Sequence, residues 1–359
     1  MRKVPSLSRA LRISLLAGCT ILTTAMTLGV FDAKAQRKPI RVTPSEADLA
    51  AGRDAEVVFF KAYSGTKPKT LPESKLSLLG KSQRDESTRA NSEESGDDLV
   101  RIPGKLTFLG GHVVKMAESH NIYLLPAGTT VADNWGDPET FLGDLGKSEF
   151  IHVTDQYVGE VRNNRYTFGD SFSVPFTVSN TPLIDAQIRG LLHAVTNMTN
   201  EFGYSDIYHV FLPPGQDECF DATFSVCASN VFCAYHGSVT FKDNGRHVLY
   251  SVEPFTDVPG CQVRPGTPNG QLVDSTNDVL SHELIETITD PDGRSWVDVT
   301  SGGMLGQEIG DECVFLTSLG LDPFTNPLYS DPAIIEVEGR KYAIQPEYNN
   351  RAQACTAER

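Results

Sequence analysis

From residue 106 onward, short apolar runs alternate with glycine and proline punctuation, with no internal repeat. The runs at 113–114, 122–125, 150–153, 207–212, 234–241 and 247–252 are rich in Val, Ile, Leu, Phe and Tyr, and they predict strands. Two segments carry helical periodicity instead. In the first, Ile184, Ile188, Leu191, Val195 and Met198 recur three or four positions apart behind Thr181 and Pro182, a pair suited to a helix start. In the second, Leu280, Leu284 and Ile288 form an apolar stripe with Ile285 beside it. Asn277 or Ser275 is its expected cap, and Pro291 its stop. Strands interrupted by two substantial helices predict an α/β domain built in layers over residues 105–359.

The chain before residue 105 reads differently. Arg2, Lys3, Arg9 and Arg12 precede a largely apolar stretch at 13–31, and Ala33-Lys34-Ala35 supplies a small-residue cleavage pattern, so residues 1–35 are expected to be a signal peptide. Leu16-Ala17-Gly18-Cys19 offers a competing lipoprotein reading with Cys19 acylated, but the apolar stretch between Arg12 and Cys19 is short for that. No other apolar run approaches the roughly 20 residues that span a bilayer. Residues 36–104 are expected to be a flexible polar leader: 45–63 suit one helix, while 81–98 hold too few apolar groups to offset the entropy of ordering.

Charge and cysteines extend the export picture. The full chain carries 31 basic and 46 acidic residues, and removal of residues 1–35 leaves 26 against 45, a net of −19. Such an acidic protein is a poor partner for nucleic acid and a plausible host for cations. Apart from Cys19, the cysteines are Cys219, Cys227, Cys233, Cys261, Cys313 and Cys355, an even set that reads as three disulfides stapling the C-terminal part. Their spacings are not those of zinc fingers.

The segment Ser281-His282-Glu283-Leu284-Ile285-Glu286 carries the candidate chemistry. In the zinc-peptidase signature H-E-x-x-H, two ligands one helical turn apart grip a metal while the intervening Glu polarises water. Here Glu286 stands where the second histidine is expected. A carboxylate is an acceptable zinc ligand, although a second one shifts preference toward harder cations such as manganese or calcium. A third ligand has to come from a later segment, and Glu308 is the first choice with Asp311 next. Asp290, Asp292 and Asp298 read better as turn residues beside Pro and Gly. A polar helix side of this kind most often just faces water, and that bland alternative stands beside the metal reading. His236, after Cys233-Ala234-Tyr235, is a further candidate ligand or substrate binder, set against a satisfied core histidine.

Taken in order, Gly110-Gly111-His112, Tyr123-Leu124-Leu125, Phe211-Leu212-Pro213-Pro214, Cys233-Ala234-Tyr235-His236, HELIETITDP, EIGDEC and YAIQPEYNNRAQAC resemble the phosphate-induced/exordium family, in particular its bacterial secreted members. The resemblance covers roughly residues 105–355. It implies secretion more strongly than catalysis, because the plant members are wall-associated growth proteins that have lost the His-Glu pair. A zincin-like arrangement would lay the HELIE helix beneath a twisted sheet with its polar side toward a cleft.

Two functions follow as expectations. One is a secreted metal-dependent hydrolase of peptides or proteins with one divalent metal, zinc, held by His282, Glu286 and Glu308 or Asp311, and Glu283 as general base. The other is a non-enzymatic envelope or wall-binding module with a structural cation or none. Pairing of Cys313 with Cys355, which would tie the Glu308 segment to the chain end, is a further expectation.

Overall fold

A computed structural model describes residues 38–63, 105–299, 308–313 and 329–358. The segment read as a signal peptide and the polar run at 81–98 lie outside the described residues. Seven strands form the central sheet: β1 (Ile40–Arg41), β2 (Glu56–Tyr63), β3 (Ala117–Pro126), β4 (Tyr166–Phe176), β5 (Gly203–Phe211), β6 (Ala234–Thr240) and β7 (His247–Glu253). Their spatial order is β1-β4-β3-β5-β7-β6-β2. All run in one direction except β6, which is antiparallel to both of its neighbours. Helices are α1 (Glu46–Asp54), α2 (Val131–Trp135), α3 (Pro138–Leu145), α4 (Asp155–Val158), α5 (Asp185–Thr199) and α6 (Gln271–Thr289).

The expected mixed α/β class is present, and side-chain alternation explains its layers. Ile122, Leu124, Tyr208, Val210, Tyr250 and Val252 point to one face, where they pack on Ile188, Leu191, Leu192 and Val195 of α5. Tyr123, Ile207, Phe211 and Leu249 point to the other, against Leu280, Leu284, Ile285 and Ile288 of α6. With both faces covered, the central strands read as nearly continuous apolar runs rather than as alternating ones. Helix α1 lies on α5 at glycines: a Cβ on Gly52 would overlap the Gly190 backbone. Arg189 Nε reinforces that approach by donating to the Gly52 carbonyl at 2.9 Å.

Several boundaries differ from the sequence reading. Residues 38–63 belong to the folded domain rather than to a leader, because β1 pairs with β4 at one edge of the sheet and β2 pairs with β6 at the other. The single helix expected over 45–63 ends at Asp54, and the β-branched and aromatic run from Val57 continues as β2. Ser45 does cap α1, in a reciprocal capping box with Asp48. The run at 150–153 forms a 3-10 turn, Phe150–Thr154, whose apolar side chains join the α6 core. Val114 docks on the end of α6, donating to the Ile288 carbonyl at 2.9 Å, instead of pairing in a strand. Helix α5 begins at Asp185, not at Thr181, because Leu183–Ile184 pair in parallel with Glu218–Cys219. Strand β4 was not anticipated, its apolar positions being separated by Gly, Asp and Ser.

The six cysteines form Cys219–Cys227, Cys233–Cys261 and Cys313–Cys355. The last is the pairing expected from the sequence. No helix among the described residues is long and apolar enough to cross a membrane.

Candidate metal centre

Helix α6 brings the His282 segment into the interior. It starts at Gln271, after Gly270 in the left-handed region at φ 94°, so the residues proposed as caps are internal. Ser275 Oγ donates to the Gln271 carbonyl at 2.6 Å, and Asn277 Nδ2 donates to Asp274 at 3.3 Å. The helix ends at Thr289, before Pro291, as expected. Its polar side does not meet water: His282, Glu283 and Glu286 are completely buried. Strand β6, the turn at Glu308–Cys313 and the C-terminal Gln345–Glu347 segment cover that side.

Two imidazoles and four carboxylates converge there. His282 Nε2 lies 3.2 Å from Glu286 Oε1, and the Asp311 amide donates to that same oxygen at 3.1 Å. On the other side, His236 Nδ1 lies 3.1 Å from Glu283 Oε2 and 3.5 Å from Glu286 Oε2, while its Nε2 lies 3.6 Å from Glu308 Oε1. Donor atoms of His282, Glu286 and Asp311 all fall within 4.8 Å of one another, as do those of His236, Glu283 and Glu286. Ligands around one divalent ion, each about 2.0–2.5 Å from it, must fall inside such a span. Both sets therefore fit a cation. Of the two candidates for third ligand, Asp311 joins His282 and Glu286, whereas Glu308, the first choice from sequence, faces His236.

The Gln345 side-chain nitrogen lies 3.0 Å from His282 Nδ1 and donates to the Gly310 carbonyl at 2.8 Å, so one amide holds both the ring and the turn that carries Asp311. Gly310 is required at that approach, since a Cβ would collide with the His282 ring and stand 3.1 Å from Glu286 Oε1. Beneath the centre, His209, Ser251 and His236 are cross-strand neighbours on β5, β7 and β6. His209 Nδ1 lies 2.8 Å from Ser251 Oγ, which donates to Glu253 Oε1 at 2.6 Å.

Electrostatics reflect crowded, buried carboxyls. Burial pushes Glu253 and Asp278 up to about 7, with His282 pulling each of them back down. Glu347 is pushed well up by burial and by Glu286, Asp278 and Asp311 around it. At His282, burial works against the charged ring, yet Glu286, Asp311 and Asp278 outweigh it and raise its pKa above the ordinary histidine range. An excess of buried anionic groups over buried cations is costly unless protons or a metal offset it.

The turn assignments downstream hold for Asp290, which accepts from the Arg294 and Ser295 amides, both at 2.7 Å. Asp292 does more than turn the chain, joining Tyr204, Ser238 and His247. Sequence reasoning assigned no role to Gln345, Glu347, Glu253 or Asp278. Only the Gln345-Pro346-Glu347 stretch had been noted, as part of a longer motif, and nothing in it signals burial against a helix remote in sequence. Elsewhere, His120, Glu201 and Asp206 form another group with donors within 4.8 Å, as do Asp217, Cys219 and Cys227, although the two cysteines are bonded to each other and so are not thiolates. Comparison of the chain with known protein families, with characterised proteins and with solved structures returned no match.

Proposed function

We propose that this protein is a secreted, metal-dependent hydrolase acting on peptide or protein substrates. The observation that carries the reading is the convergence of His282 Nε2, Glu286 Oε1 and Asp311 within one ligand span, with Glu283 on the adjacent helical position in the same enclosure. A divalent cation held there, zinc in the simplest case, would bring the pKa of a bound water to near 7. Glu283 is the carboxylate assigned to accept that water's proton, and its 3.1 Å contact with His236 fixes the side chain's direction. Secretion is supported by three disulfides, which persist in oxidising compartments. A zincin-like layering, with α6 under the sheet, and kinship with the phosphate-induced/exordium family belong to the same proposal.

Complete burial of His282, Glu283 and Glu286 favours a second reading, in which the cation is structural and the domain binds an envelope or wall component without catalysis. The two part on turnover. Purified protein is assayed for metal content and for hydrolysis of mixed peptide and protein substrates, with and without chelator. The hydrolase reading expects bound divalent metal and chelator-sensitive cleavage; metal without cleavage supports the structural reading, and no metal at all defeats the hydrolase and leaves a binding module without a cation.

A further inference from the structure

The two ligand sets overlap at a single residue. Glu286 turns Oε1 toward His282 and Oε2 toward His236, so its two oxygens serve different imidazoles. The donor groups gather as His282, Glu286 and Asp311 on one side and as His236, Glu283 and Glu286 on the other. A carboxylate placed in this way is suited to bridge a pair of cations, which in two-metal sites stand about 3.5–4 Å apart. We propose that this centre takes two divalent cations bridged by Glu286, the second of them held by His236 and Glu283. The assignment rests on the metal-centre reading above and deepens it, because Glu283 then binds a cation rather than only accepting a proton.

Charge supports the pair independently. Glu283, Glu286, Glu308 and Asp311 bring four carboxylates into the enclosure, exposed by no more than 9%. One divalent cation leaves two of those charges uncompensated, whereas two cations balance all four. Glu347 adds a separate sign of a missing positive charge. It is completely buried, neither carboxyl oxygen has a hydrogen-bond partner among the described residues, and Glu286 and Asp311 are among its electrostatic neighbours. A buried, unbonded carboxyl set against two others is expensive unless a proton or cations share the space.

The experiment counts metal on the full chain. Apoprotein is loaded with Mn(II) or Zn(II), and stoichiometry is read by native mass spectrometry and elemental analysis. Two ions per chain are expected, with one remaining in His236→Ala and one in His282→Ala. Carboxylate-bridged Mn(II) should also give an exchange-coupled paramagnetic resonance spectrum, lost in both variants. If His236→Ala does not fold, His236→Asn, which keeps a polar group of similar reach, is measured instead. One ion in the wild type, unchanged by the His236 substitution and magnetically isolated, overturns the pair and leaves the one-cation reading intact. No bound ion in the wild type removes both.

Discussion

His236 Nδ1 lies 3.1 Å from Glu283 Oε2, although 47 positions separate the two residues in the chain. The contact joins β6, the strand that runs against the rest of the sheet, to the middle of α6. Glu286 follows one turn further along the helix, Glu308 stands on the far side of the His236 ring, and Gln345 lies behind His282.

Replacement of Glu283 by Gln tests its role most directly. Gln keeps the shape and leaves the His282, Glu286 and Asp311 set intact. Hydrolysis should fall by about 100-fold or more, the usual worth of a positioned proton acceptor. Steady-state kinetics beside a thermal melt checks this; undiminished turnover would remove Glu283 from the chemistry.

Gly310→Ala puts a methyl group against the His282 ring and Glu286. The turn carrying Asp311 must then move away. Cation affinity is expected to fall by about 10-fold or more, as for lost outer support of a metal ligand, with a stability loss of roughly 1–3 kcal/mol from overpacking. Competition with a metal-sensitive dye and denaturant unfolding report the two effects separately. Unchanged affinity would show that the turn is not part of the centre.

The Cys313–Cys355 bridge closes a separation of 42 residues and anchors the Glu308–Cys313 turn. On loop-entropy grounds, the Cys313→Ser and Cys355→Ser double variant should lose about 4 kcal/mol of stability. It should also bind metal more weakly, since Asp311 loses its tether. Native protein should show no reactive thiol among the six cysteines when denatured without reductant; titration of two or more of them contradicts the pairing.

Asp292 gives a pH prediction away from the candidate ligands. Burial alone would raise it, but hydrogen bonds from His247, Ser238 and Tyr204 outweigh that and hold it at about 2. A carboxyl depressed in the fold contributes stability that is present above its unfolded value and is lost as pH falls through the folded one. The contribution is therefore on the order of 2 kcal/mol above pH ~4 and fades toward pH ~2. Asp292→Asn should be destabilised near neutrality, with the gap to wild type closing over that acid window. A gap independent of pH would refute the ionic account.

Much of this protein is written locally. Periodicity located α6 and most of α5, Pro291 marked the end of α6, and the runs at 122–125, 207–212, 234–241 and 247–252 all lie in or overlap strands of the sheet. These are properties of neighbouring residues, and local spacing suffices to express them. The pair Cys313–Cys355 was also named, and His282, Glu283 and Glu286 were singled out because one helical turn puts them on the same side whatever surrounds the helix. What surrounds it was decided by the tertiary structure. Residues 38–63 look like a polar leader until their strands close both edges of the sheet by pairing with strands more than a hundred residues further along the chain. Phe150 to Val153 reads as a strand until its apolar side chains find the α6 core. The choice of Asp311 over Glu308 beside His282, and the arrival of His236, Gln345 and Glu347, depend on contacts between segments far apart in the chain. Burial converts an ordinary polar helix side into a crowded set of charges. No local pattern encodes burial of that kind, because the residues that exclude the water belong to other elements.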